Sequence, residues 1–199
     1  MDEAVDPADV RDIETARAGD AEGFRGLVER HGPRVYDLAR RLTRDAQLAE
    51  DMSQQAFANA WRALSRFDLA RPFRHWILRI TTNLCRNLHA SRSLRREVSG
   101  AAGEDDPALD PPAPSAPEAP LAAPAHVRAA IEALPERYRL AVVLHHLHGL
   151  SLEAIAEIAD QPVATIKTHL FRGRQALRAL LFPPETSGPP GGTPTRKAP

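Results

Sequence analysis

The chain has very little of several things. Among 199 residues there is one cysteine, Cys85, so no disulfide can close within the chain and no cysteine-based zinc site can be built from it. No apolar run approaches the ~18 residues that a bilayer crossing needs. The N-terminus is acidic and lacks an apolar core, which excludes a secretory signal. Together these predict a cytoplasmic protein with no membrane insertion. No phosphate-cradling glycine loop, nucleophile elbow or HExxH is present, so these motifs point to no catalytic residue, metal or cofactor. Continuous β-type alternation is absent as well, which leaves an all-α chain. Net charge is zero, with 26 basic and 26 acidic side chains, so overall charge gives no argument for a polyanionic partner.

The distribution of charge says more. From Arg62 to Arg96 there are nine arginines and one acid, Asp68, whereas Met1 to Phe24 holds eight acids and two arginines. A positive stretch beside an acidic start suggests one face for a polyanion and another for a different partner, although a charge run can also be an ordinary solvated face. Residues 99–125 hold seven prolines, five acids and no basic residue. Too few large side chains remain there to offset ordering entropy. Residues 183–199 hold six more prolines. These two segments predict a Pro/Ala-rich acidic linker and a disordered tail, flanking helical domains at 1–98 and 126–182. In the first domain, helices are expected from Pro33 (Val35, Leu38 and Leu42 inward) and after Asp45 (Leu48, Met52, Phe57, Ala60, Trp61 and Leu64). Another is expected after Pro72, with Phe73, Trp76, Ile77, Ile80 and Leu84 on one side. In the second domain, helices are expected over Val127–Leu134 and Glu136–His148, the latter ended by Gly149 in a left-handed cap.

The stretch from Ser151 to Arg178 carries most of the functional information. Ser151 is placed as an N-cap. Leu152, Ile155, Ala156, Ile158 and Ala159 then repeat at helical spacing. Asp160-Gln161-Pro162 interrupts, with Pro162 suited to a helix start and Asp160 tolerant of the left-handed region. Val163, Ile166, Leu170 and Leu177 form a second buried stripe, leaving Thr165, Lys167, Thr168, Phe171 and Arg172 outside it. This is the layout of a helix-turn-helix, whose second helix enters a DNA major groove.

Three blocks then resemble sigma region 2: Ala49 to Phe57, Ala60-Trp61-Arg62, and Phe73 to Asn83. Leu134 to Arg139, followed by the helix-turn-helix and Thr165 to Arg174, resembles sigma region 4. Two such domains separated only by a linker are similar to the extracytoplasmic-function sigma factors of bacterial RNA polymerase. The resemblance implies a protein that binds core RNA polymerase through its β′ and β subunits, recognises −10 and −35 promoter DNA and helps open the duplex. It also implies an anti-sigma partner. By the resemblance, Asp51, Gln54 and Gln55 meet the polymerase. Phe67, Arg71, Arg74, Arg79, Asn83 and Arg86 meet the −10 element and its displaced strand, with Asp68 to Pro72 as the segment that captures an extruded base. An extruded base needs a stacking face and edge hydrogen bonds, which Phe67 and Asn83 could supply. Lys167, Thr168, Phe171 and Arg172 face the −35 groove, where Arg or Lys can pair with guanine and an aromatic edge can meet a thymine methyl. Arg137 and Arg174 hold phosphates. Phe171 has a second reading, packing against the preceding helix, and Phe73 and Trp76 read better as core than as base platforms.

Two rivals stay open at this point. A free-standing helix-turn-helix regulator would need no polymerase. An interaction protein or metal-dependent hydrolase would be built around His145, His146 and His148, but two imidazoles on one helix face with no nearby Asp, Glu or Cys make a weak metal site.

Overall fold

A carboxylate starts each of the first three helices. Asp6 accepts from the Ala8 N–H and begins α1 (Pro7–Arg17), Asp20 accepts from Glu22 and begins α2 (Ala21–Thr43), and Asp45 accepts from Leu48 and begins α3 (Ala46–Ala63). Each side chain satisfies a donor that the helix itself cannot. The computed structural model describes residues 4–98 and 124–182, and no strand occurs among them. A 3₁₀ turn (Leu64–Arg66) and a loop lead from α3 into α4 (Phe73–Val98). The second domain runs α5 (Ala125–Glu132), α6 (Glu136–Val142), a π turn (Val143–Leu147), α7 (Leu152–Ala159) and α8 (Val163–Leu181). The expected tail lies outside the described residues, as does the expected linker except for its last two residues. Of those, Ala125 already belongs to α5.

One expectation fails in α2. A helix was expected to start at Pro33, yet Pro33 lies inside a single helix of 23 residues. Pro33 removes one ladder bond, a cost of about 3 kcal/mol in a helix interior. Leu27, His31, Val35, Leu38 and Leu42 are all buried at spacings of three and four, and keeping that face continuous offsets the loss. The stripe on α3 also differs from the expectation. Ala49, Ala56, Phe57 and Ala60 are buried, while Trp61 is 45% exposed, its ring edge-on to Phe24 at 4.9 Å.

Helix α1 lies close enough to α2 that glycine is required between them. A Cβ on Gly23 would stand 2.3 Å from the Asp12 carbonyl oxygen. Asp9 is buried beneath this contact, where it takes His31 Nε2 at 2.9 Å and Arg30 Nη1 at 2.5 Å. At the other end of α1, Arg17 donates through Nε and Nη2 to the Leu64 carbonyl, both at 3.0 Å, and through Nη2 to the Phe67 carbonyl. The acidic helix therefore ties down the start of the loop that runs from Phe67 to Pro72.

In the second domain Ser151 caps α7 by accepting from Ala154 at 3.1 Å. Gly149 and Asp160 take the left-handed conformation at φ +68° and +53°, so the turn behaves as the sequence predicts. The expected helix over Glu136–His148 is α-helical only to Val142. The π turn that follows lets the His148 N–H reach Val143 and the Leu150 N–H reach Leu144, which satisfies both donors while burying both side chains. Gly173 brings α8 against α6, where its added Cβ would meet Val142 Cγ2 at 2.7 Å.

The two domains pack together. One continuous buried cluster contains Phe73 and Ile77 from the first and Ile155 and Ile158 from the second.

Candidate polymerase and nucleic-acid interfaces

On α3 the residues expected to meet polymerase point outward. Asp51, Gln54 and Gln55 are all exposed. Gln55 Nε2 donates to Asn59 Oδ1 at 2.9 Å, and Arg62 Nη1 donates to the same oxygen at 2.8 Å. The buried side of the helix is Ala49, Ala56, Phe57 and Ala60, which leaves a polar outer face.

The −10 residues divide. Asn83 is exposed on α4 and Arg79 is partly exposed. Phe67 is 7% exposed, its ring 4.7 Å from Trp76 and 5.7 Å from Phe73. Expected as a stacking platform, it is instead covered by its aromatic neighbours in this conformation, and its carbonyl accepts from Arg17. The remaining three arginines all engage the second domain. Arg71 Nη1 donates to Glu157 Oε1 at 2.5 Å, Arg86 Nη1 donates to the Ala159 carbonyl at 2.7 Å, and Arg74 Nη2 donates to the His148 carbonyl.

Helix α8 presents a continuous outer face. Ile166, Leu170 and Gly173 are buried, and Lys167, Thr168, Arg172, Arg174 and Phe171, the last at 61% exposure, are outside. Phe171 is thus not packed away against the preceding helix. The Thr168 hydroxyl donates to its own helix at Ala164 (3.0 Å), leaving its oxygen as an acceptor. Tyr138 organises the cations beside this face. Arg172 Nη1 reaches its hydroxyl at 3.5 Å, the Arg137 guanidinium lies 4.8 Å from its ring centroid, and His169 packs edge-on at 5.7 Å. Arg172 first, then Arg137, holds the Tyr138 hydroxyl below the ordinary phenol value. Burial, then Arg137 and Arg172, pushes the His169 imidazole down.

The three histidines do not converge. His145 Nδ1 lies 3.0 Å from the Leu150 carbonyl, and His146 Nε2 takes Arg174 Nε at 3.1 Å. His148 is buried against Asp37 of the first domain, Nε2 to Oδ2 at 3.4 Å, an ion-pair distance longer than a good hydrogen bond. Among the described residues no group of three or more His, Cys, Asp or Glu is placed to hold one ion. Nor is any helix among them long and apolar enough to cross a membrane.

Sequence reasoning missed two residues. Arg17 lies in the acidic start and bonds only backbone carbonyls. Arg139, 3% exposed, donates to Leu134 in its own domain (2.7 Å from Nη2) and to Arg41 and Leu42 across the interface (3.2 and 3.4 Å). Burial, then repulsion from Arg44, pulls its guanidinium down to about 10. It sits in the block that suggested region 4, so its position was visible but its direction was not.

The chain matches the Sigma-70 region 2 family over residues 27–96 and the Sigma-70, region 4 family over residues 126–177. It is 34% identical to the extracytoplasmic-function sigma factor SigW of Bacillus subtilis, over 85% of this chain and 94% of that protein. It is also 34% identical to the RNA polymerase sigma-H factor of Pseudomonas aeruginosa, over 86% and 92%. The fold superposes on CnrH, solved in complex with the cytosolic domain of CnrY, at a TM-score of 0.63 and 27% identity, covering 87% of this chain and 97% of that one.

Proposed function

Because the chain belongs to the sigma-70 family, among its extracytoplasmic-function members, we propose that three of its surfaces divide the work of one initiation factor. The protein is an alternative sigma factor that binds core RNA polymerase, recognises −10 and −35 promoter elements and promotes opening of the duplex. Sigma factors are initiation factors and not enzymes, and we assign this chain no catalytic residue, metal or cofactor. It works in the cytoplasm, where polymerase and promoters are.

In this reading Asp51, Gln54 and Gln55 meet core polymerase, through arginines that the polar face of α3 can pair. Lys167, Thr168, Phe171 and Arg172 read the −35 groove, while Arg137 and Arg174 fix its phosphates. Arg71, Arg74, Arg79, Asn83 and Arg86 hold the −10 element and its displaced strand. Phe67 stacks on a base only after its ring leaves Phe73 and Trp76. CnrH was captured with a protein partner, which supports a partner of the anti-sigma kind for this chain. The observation that carries the reading is the face of α8, with two cations, a hydroxyl and an aromatic ring exposed above a fully packed underside.

The test is binding to purified core polymerase, with Asp51→Arg as the variant. The charge reversal sits on an exposed helix position, so the fold should survive it. Wild type should bind, and the variant should lose about tenfold or more, as expected when like charges meet across an interface. Wild type that ignores core polymerase but binds duplex DNA by itself would move the function to a free-standing regulator.

A further inference from the structure

Tyr138 stands where the cations of the −35 face converge. Its place follows from a close helix crossing. Gly173 is buried where α8 meets α6, and a Cβ added there would stand 2.7 Å from Val142 Cγ2 and 3.4 Å from Tyr138 Cβ. That approach sets the Tyr138 ring beside the residue preceding Gly173, so that Arg172 Nη1 reaches the phenol oxygen at 3.5 Å. The Arg137 guanidinium lies 4.8 Å from the centroid of the same ring, and His169, one turn before Gly173, packs edge-on at 5.7 Å. A guanidinium over a ring face is attracted by the ring's quadrupole. The hydroxyl answers to both cations, since Arg172 first and Arg137 second hold it below the ordinary phenol value. One half-buried side chain therefore touches both kinds of cation on this face: Arg172, which reads a base, and Arg137, which holds a phosphate.

From this juxtaposition we propose that Tyr138 is a positioning residue for −35 recognition: its ring steadies Arg137 on the phosphate and its hydroxyl aims Arg172 at the base, so that one side chain ties register to readout. This rests on the reading of Arg172 and Arg137 as −35 contacts. Arg172 is exposed, and an unrestrained arginine loses much rotamer freedom when a base captures it. At 3.5 Å the bond to the phenol is long, a tether more than a clamp. It restricts the guanidinium before DNA arrives and leaves the remaining N–H donors for guanine O6 and N7. Phosphate contacts fix where a recognition helix lies along the duplex. A guanidinium held over the Tyr138 ring passes that register to Arg172 through the ring itself.

Two variants separate the ring from the hydroxyl. Tyr138→Phe keeps the ring, its packing and the Arg137 contact, and removes only the tether on Arg172. Tyr138→Leu removes both. Each is assembled with core polymerase and used to select from a library of duplexes of randomised sequence, beside wild type and Arg172→Ala. Tyr138→Phe should select the wild-type upstream motif with discrimination lowered about fivefold at the positions that Arg172→Ala also relaxes, and at no others. The double variant should discriminate no worse than Arg172→Ala alone. Tyr138→Leu should in addition lower the salt slope by about one. The contact has its own readout in the full chain. With Tyr36→Phe in place, Tyr138 is the remaining phenol of the chain's two, and its absorbance titration should move up in pH on Arg172→Ala. Full discrimination by Tyr138→Phe would overturn the proposal. Equal weakening on every sequence would overturn it too, by reducing Tyr138 to packing. A phenol titration that ignores Arg172→Ala would overturn it at the contact. A wild-type selection with no upstream motif, while the titration still moves, would overturn it at the −35 reading and leave the contact standing.

Discussion

Arg172 and Arg174 stand two residues apart on α8 and should respond differently to removal. Arg172 lies on the outer face beside Lys167 and Phe171, so Arg172→Ala should cost about 1–3 kcal/mol on the preferred −35 sequence and relax discrimination there. Arg174 leans on His146 at the edge of that face. Arg174→Ala should weaken all sequences alike and lower the salt slope by about one. Binding of the holoenzyme to matched and mismatched promoters at several salt concentrations separates the two. A second residue-scale prediction concerns acid. Burial pushes the Asp9 and Asp37 carboxyls up, but His31 and Arg30 around Asp9, and His148 and Arg41 around Asp37, overcome it and leave both below 3.8. A carboxyl depressed on folding adds stability above its unfolded value and loses it as pH falls through the folded one. Resistance to urea should therefore fall as pH drops below 3.8, and Asp9→Asn should flatten that slope. The outer face of α8 was legible in the sequence because helical spacing alone separates Lys167 and Arg172 from Ile166 and Leu170. Arg17 and Arg139 were not, because their acceptors are backbone carbonyls, which every residue has and no sequence pattern marks.

At the scale of elements, the approach of α1 to α2 makes a sharp prediction. A methyl at Gly23 meets backbone at 2.3 Å that cannot move without shifting α1, so Gly23→Ala should destabilise by about 1–3 kcal/mol. Gly32 on the same helix has nothing within 4 Å of an added Cβ beyond its chain neighbours and its own helix, so Gly32→Ala, crowded only by the Pro33 ring that follows it, should cost less than Gly23→Ala. Thermal unfolding of the two variants side by side gives the test. Element boundaries in the sequence were clear at Asp45, Gly149, Ser151 and Asp160, whereas the equivalent caps at Asp6 and Asp20 went unread. They failed at Pro33, where a local breaker lost to a buried face that only tertiary packing creates. They failed also at the π turn, which widens a helix to bury His148 and Leu150 and leaves no local signal.

For the whole molecule, the closed packing changes what the spacer must do. Nothing in the composition of either domain announced that they would dock, since the polar contacts between them end largely on carbonyls. The segment 99–125 has 27 residues, and Pro-rich chain can extend by about 3.1 Å per residue, a reach of roughly 84 Å. In the proposed function each domain meets one promoter element, and the reach of the segment then limits the spacings they can serve. Halving the segment should narrow the range of −10 to −35 separations that support transcription, measured in single rounds from promoters of varied spacing. An unchanged profile would count against this. Replacing the segment with Gly/Ser of equal length makes a different perturbation, because a flexible chain of that length has a mean span of only roughly 29 Å. Its full reach is retained, but the local concentration of one domain around the other rises. The closed form should gain population, and activity should fall at every spacing rather than only at the widest. A Gly/Ser spacer that instead reproduced the narrowed profile of the halved one would show that stiffness sets reach and has no bearing on closure.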